Sequence, residues 1–250
     1  CVSGNHTLPA GIPRSVGYPD GLLIRRGITM TSPATSLVDS AQIRALVVEA
    51  VEASAELMAS SPVADQWNEA SALEGMTVGA LAAHLVRAAG STIAYLDRTP
   101  VDALPSTELL TPTTYFHAAI GSPIHERIKH VSAQESSLGH SALTEKCTQL
   151  AADLKTRLAT EPDDRLVAAL GDRFLTLDDF CRTRMIEVLV HLDDLAVSTS
   201  QRRPVTDPTG IAIVIDISVG IARHAHGDWN VLYALARTER SAIEPVFPAF

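Results

Sequence analysis

Glu187 and His191 stand four residues apart in the run "TRMIEVLVHLDDLA", residues 183–196, and the other six residues of 185–192 are all apolar. On a helix that spacing puts both side chains on one face, one turn apart. The other faces of the run are apolar too, so neither group has an easy route to water. A buried, ionised carboxylate is very costly unless it is protonated, paired or bound to a cation. His84 is a second such residue. In "TVGALAAHLV" it is the sole ionisable group between Glu74 and Arg87, among alanines and leucines that let another helix come close. Imidazole, imidazole and carboxylate together make a catalytic zinc set, three ligands that leave a fourth position open. The plainer reading is an i,i+4 hydrogen bond between Glu187 and His191, or a pairing of Glu187 with Arg184 one turn before it. E-x-x-x-H alone does not decide between them.

Helices must carry these residues. Apolar positions at Ile43, Val47, Ala50, Val51, Leu57 and Met58 predict a helix from Asp39 to about Ser60, closed by Ser61-Pro62. A loop around Trp67 leads to Thr77, an N-cap for a second helix that runs to about Asp97. Four prolines make 99–123 a long connection. A third helix is expected over about 124–160, with Leu143, Cys147, Leu150, Leu154 and Leu158 on one stripe. Gly171-Asp172, between two short apolar runs, suggests a small hairpin. The fourth helix takes 177–198, and two more segments fit 208–226 and 228–241. The sum is an all-α fold: a four-helix bundle with one long crossover connection and a short helical C-terminal extension. The expected division is an extension over 1–35, poorly ordered and functionally idle upstream of Met30, a bundle over 36–200, and helices over 201–250.

Composition narrows the function. Of 250 residues 46% are hydrophobic and only 4% aromatic, which suits helix on helix. A formal charge of −9 argues against nucleic acid or an anionic membrane surface as partner. The most apolar stretch, "GIAIVIDISVGIA", is too short to span a membrane and is interrupted by Asp216. Three scattered cysteines, Cys1, Cys147 and Cys181, fit a reduced, cytoplasmic protein. Cys147 and Cys181 read as buried apolar residues and not as nucleophiles. There is no G-x-G-x-x-G and no Walker lysine.

"GMTVGALAAHLVRA" and, about a hundred residues later, "TRMIEVLVHLDDLA" resemble the mycothiol-dependent maleylpyruvate isomerase family, part of the DinB-like four-helix metalloproteins. "HGDWNVLYALARTER" resembles a tail found in that family's actinobacterial members. The resemblance spans roughly 40–240. It implies a divalent metal, zinc before any other, held by His84, Glu187 and His191, with mycothiol as cosubstrate and a small electrophile as substrate. It implies an S-transferase or a thiol-dependent isomerase; the alternative is a non-catalytic metal-binding or thiol-sensing module that acts through a partner. The isomerase proper has a separate α/β domain that supplies a substrate-binding arginine. Here only about 50 residues follow the fourth helix, and Arg237 and Arg240 are the candidates for that role.

Around the set, Arg184 is placed either to bind an anionic group of thiol or substrate, or to neutralise Glu187. Asp194 could orient a ligand histidine; Asp193 reads as a solvated charge. His125, His130 and His140 are expected at the surface. His117 is the one loop histidine worth following, and His224 or His226 could join a metal, although Gly227 more simply ends their helix.

Overall fold

Asp39 ends the extended lead-in and accepts a hydrogen bond from Gln42 N at 2.8 Å, which starts α1 (Ser40–Met58). The computed structural model describes residues 38–237 except 106, 120–123 and 172, with backbone alone at 124–126. The expected 1–35 extension, Cys1, Arg240 and the side chain of His125 therefore lie outside the described residues.

Ser61-Pro62 does more than close α1. It opens a one-turn helix, α2 (Ser61–Asp65), with the proline at a position where no N–H is needed. Thr77 accepts from Ala80 N at 3.1 Å and caps α3 (Val78–Arg98). The connection after it is not featureless: Pro112 starts α4 (Pro112–Ala119). The third long helix is two helices, α5 (Ile124–Ser136) and α6 (His140–Thr160). The break falls at Gly139, which takes φ +88°, a conformation costly for any residue with a Cβ. Trp67 Nε1 donates to the Ser136 carbonyl that a continuous helix would use internally. Helical periodicity on both sides hides such a break.

The hairpin is present: β1 (Leu166–Leu170) pairs antiparallel with β2 (Arg173–Thr176), and Gly171 turns at φ +65°. Thr176 caps α7 (Leu177–Ser198), and α8 (Pro208–His226) and α9 (Asp228–Ala236) follow. Among the described residues the regular secondary structure is helical apart from this hairpin and one isolated bridge, Ala70 to Thr77.

In the bundle α1 packs on α6 and α7, and α3 packs on α6 and α7. The ring order is thus α1, α6, α3, α7, with α1 and α3 on one diagonal. α5 lies over α3, and α8 joins α4, α7 and α1. The core is Leu, Ile, Val and Ala, with Phe180 the largest fully enclosed side chain. Alanines at 80, 82, 83, 88 and 89 keep the α3 surface thin, so α7 approaches closely. Gly79 is required for a similar reason: a Cβ there would lie 2.6 Å from the Trp67 ring. Buried Arg44 closes the end of α6 by donating to the carbonyls of Leu158, Glu161 and Pro162, and it pairs with Asp178 at 3.0 Å.

Cys147 and Cys181 are both buried, and burial pushes each thiol up to about 12. Thiolate is the reactive form, so neither is a nucleophile near neutral pH. In a Cys1→Ser background, Ellman's reagent at pH 8 is expected to titrate no thiol in the native protein and both in denaturant. Rapid native labelling of either cysteine would refute that.

Candidate metal centre

α3 and α7 face each other, and the three polar residues of the contact meet there. His84 Nε2 lies 3.1 Å from His191 Nε2. The Glu187 Oε2 atom lies 3.9 Å from His84 Nε2 and 3.8 Å from His191 Nε2. Both imidazoles are buried, at 5% and 1% exposure, and the carboxylate is nearly so. Each residue offers one ligand atom, and the three atoms lie within 4.8 Å of one another. Among the described residues no further Asp, Glu, His or Cys joins them.

These residues fit a divalent ion. Tetrahedral bonds of about 2.05 Å set the donor atoms roughly 3.4 Å apart. The observed separations bracket that value, so shifts of about half an ångström bring all three donors to one ion. The Glu187 carboxylate makes no hydrogen bond among the described residues, and the two imidazoles are the ionisable groups within 4 Å of it there. Burial lowers the pKa of His84 well below its usual value, and the nearby charges of His191, Arg87 and Arg184 act in the same direction. A neutral imidazole is the form that ligates a metal.

The helix also supplies the support. Asp194, one turn after His191, has Oδ2 at 3.0 Å from His191 Nδ1. A carboxylate oxygen facing Nδ1 favours the tautomer with the proton on Nδ1, which leaves Nε2, on the side of Glu187 and His84, as the donor atom for a metal. An Asp194→Asn variant is expected to bind metal 10–100 times more weakly by chelator competition, with an unchanged circular dichroism spectrum. Unaltered affinity would reduce Asp194 to a surface charge. Asp193 is a solvated charge as expected; it pairs with Arg203.

Arg184 is buried and makes no ion pair with Glu187 within 4 Å. Its guanidinium donates instead to neutral oxygens, Tyr115 Oη at 3.3 Å, Ser91 Oγ at 3.3 Å and Thr183 Oγ1 at 3.2 Å. It also stacks 5.0 Å from the centre of the Phe180 ring. Burial pushes the Tyr115 hydroxyl up against the opposing pull of Arg184, so it stays protonated. A buried guanidinium that hydrogen-bonds only hydroxyls carries charge that an anion could balance.

Tyr115, Ser91 and Arg87 are residues that the sequence did not single out. Arg87 Nη2 lies 3.5 Å from His84 Nδ1 and donates to Ser132 Oγ at 2.6 Å. Arg87 stands at i+3 from His84, a spacing that could have flagged it. Tyr115 arrives on α4, some seventy residues from its partner, and no local pattern points to it.

Other candidates fall elsewhere. Arg237 ends α9, exposed, with Nη1 on the Ala236 carbonyl. His117 and His224 are exposed and touch ring to ring across α4 and α8, with centroids 4.1 Å apart. Gly227 ends α8, as expected, at φ +83°. His130 is exposed. His140 corrects the surface expectation: it is half-buried, bonds the Met58 carbonyl at 2.6 Å and sets its ring edge-on to Trp67.

The sequence model of the mycothiol maleylpyruvate isomerase N-terminal domain matches residues 47–196, more than half of the chain, a span that includes His84, Glu187 and His191. The chain belongs to this family. No curated protein and no solved structure matches it. The family match and the convergence of His84, Glu187 and His191 agree on a mycothiol-related protein with a group able to bind a metal. No helix among the described residues is long and apolar enough to cross a membrane.

Proposed function

We propose that the protein is a metal-dependent enzyme that uses a low-molecular-weight thiol, mycothiol, as S-transferase or thiol-dependent isomerase on a small electrophile. The observation that carries this reading is the meeting of two imidazoles and one carboxylate from two helices within 4.8 Å. When bound there, zinc supplies Lewis acidity that converts a thiol, normally of pKa about 8.5, into a thiolate at neutral pH. His84, Glu187 and His191 would hold the ion, and a set of three protein donors would leave it able to take an external ligand. Asp194 holds His191 in the ligating tautomer. Arg184, fixed by Tyr115 and Ser91, receives an anionic group of thiol or substrate. Arg237, exposed at the end of α9, is the second candidate for such a group.

In a transferase the sulfur–carbon bond formed by attack is kept in the product. In an isomerase the sulfur adds to one carbon of a double bond, the resulting single bond rotates, and the sulfur is expelled.

The test is metal analysis followed by cobalt substitution. One equivalent of metal per chain, and a visible spectrum that changes when mycothiol is added, would support the reading. A cobalt spectrum indifferent to thiols would favour the other class of function, a metal-binding module without thiol chemistry.

A further inference from the structure

His117 and His224 are remote in the sequence and meet at the surface, where α4 packs on α8. Their approach has a cause one turn earlier on each helix. A Cβ at Gly220 would sit 2.8 Å from Thr113 Oγ1, so the missing side chain is what lets α8 come close to α4. His117 follows Thr113 by four residues, and His224 follows Gly220 by four. Each imidazole therefore projects from the same face as the close contact, one turn on.

The two ring centres are 4.1 Å apart and their planes cross at 68°. Both residues are exposed. Among the described residues neither ring makes a hydrogen bond or an ion pair, so its nitrogens are open to an external partner. Imidazole is a general ligand for divalent transition metals, and two from different helices make a chelate.

We propose that His117 and His224 form a second metal site, open to solvent, for a divalent ion of tetragonal preference, copper(II), and that an ion held there fastens α4 to α8. This site rests neither on the His84 centre nor on the thiol reading.

The spacing selects the ion. With a metal–nitrogen bond of about 2.05 Å, each ring centre lies about 3.2 Å from the metal. Two imidazoles at right angles on a tetragonal ion then have centres about 4.5 Å apart, and at a tetrahedral angle about 5.2 Å. The observed 4.1 Å is within about half an ångström of the first and about one ångström short of the second. Exposed side chains close the smaller gap by a modest rotation. Copper(II) also binds nitrogen ligands most tightly among the divalent first-row ions.

Water fills the other corners. Asp228, which with His224 lines a pocket of about 260 Å³, is engaged by Arg223 at 2.8 Å. That pairing offsets the guanidinium charge, which would otherwise repel a cation at the pair. The consequence reaches inward. His117 stands two residues after Tyr115, whose Oη accepts from Arg184 at 3.3 Å. A bridge between α4 and α8 thus steadies the short helix that brings Tyr115 to Arg184.

The experiment titrates the zinc-loaded full chain, in the Cys1→Ser background at neutral pH, with copper(II). Bound metal, electron paramagnetic resonance with spin-echo modulation, and thermal unfolding are read. The expected result is one copper equivalent beyond the zinc with Kd below about 100 μM, two imidazole nitrogens on the copper, and a raised Tm. His117→Ala and His224→Ala should each weaken copper binding at least about tenfold and remove the Tm rise, with zinc content kept. His226→Ala, on the same helix, should bind copper as the wild type does. His84→Ala should also keep this copper equivalent, which separates the site from the inner one. Copper that only displaces zinc overturns the proposal. So do a single imidazole on the copper, and uptake by the H117A/H224A double variant equal to that of the wild type.

Discussion

His84→Ala is expected to abolish metal loading while leaving the bundle folded. Apparent zinc affinities in protein sites amount to roughly 10–16 kcal/mol, so one ligand of three or four carries about 3–4 kcal/mol. That is two to three orders of magnitude in affinity, enough to lose the ion during purification. His84 meets His191 and Glu187 at the α3–α7 contact, where an alanine resembles the residues already around it. The readouts are metal content and the thermal shift on adding zinc. For the wild type, free zinc at a thousand times Kd stabilises by about 4 kcal/mol, some 10 °C for a domain of this size. In the variant both metal content and shift should vanish, with the helical circular dichroism signal kept. A His84→Ala protein that still holds one equivalent tightly would remove the metal centre from consideration.

The second large effect lies away from the metal. Arg165 is buried, and its guanidinium donates to the carbonyls of Leu96 at 3.1 Å, Thr99 at 2.5 Å and Pro100 at 2.8 Å. It also pairs with Glu161 at 3.1 Å. The last carbonyls of a helix have no partner within it and carry the negative end of its dipole, so a buried cation there satisfies both needs. Arg165→Ala takes the guanidinium away from three carbonyls, while Glu161 keeps Arg157 at 2.6 Å. The expected loss is about 3–5 kcal/mol, the range for removing one partner of a buried ionic network. For about 200 residues that lowers Tm by roughly 10 °C. Arg165→Lys should recover only part of this, because an ammonium cannot match the planar fork. Metal affinity should change little in either, since Arg165 grips the end of α3 distant along the helix from His84. A loss below about 1 kcal/mol in urea unfolding would show that water takes over the arginine's role.

Local chemistry made much of this protein readable from its residues. The N-cap Thr77, the start of α1 to within a residue and both ends of α7 were readable from local residue types and helical spacing. Glu187 and His191 stood out because a separation of four residues along a helix is a fixed geometry. His84 stood out because an imidazole inside an alanine run interrupts a face otherwise built for burial. The hairpin at Gly171 was visible as a turn between apolar runs.

What tertiary structure alone decided depends on partners remote in the chain. The break at Gly139 rests on Trp67 taking the Ser136 carbonyl, a contact across 69 residues that periodicity does not encode. The role of Arg184 was open because hydrophobic spacing says which way a side chain points and not what meets it there; Tyr115 and Ser91 arrive from two other helices. Arg44 and Arg165 look like ordinary surface arginines in the sequence, and only the packed bundle brings helix ends to them. Spacing along one helix is set by covalent geometry, whereas a contact between helices exists only once the core has chosen which faces meet.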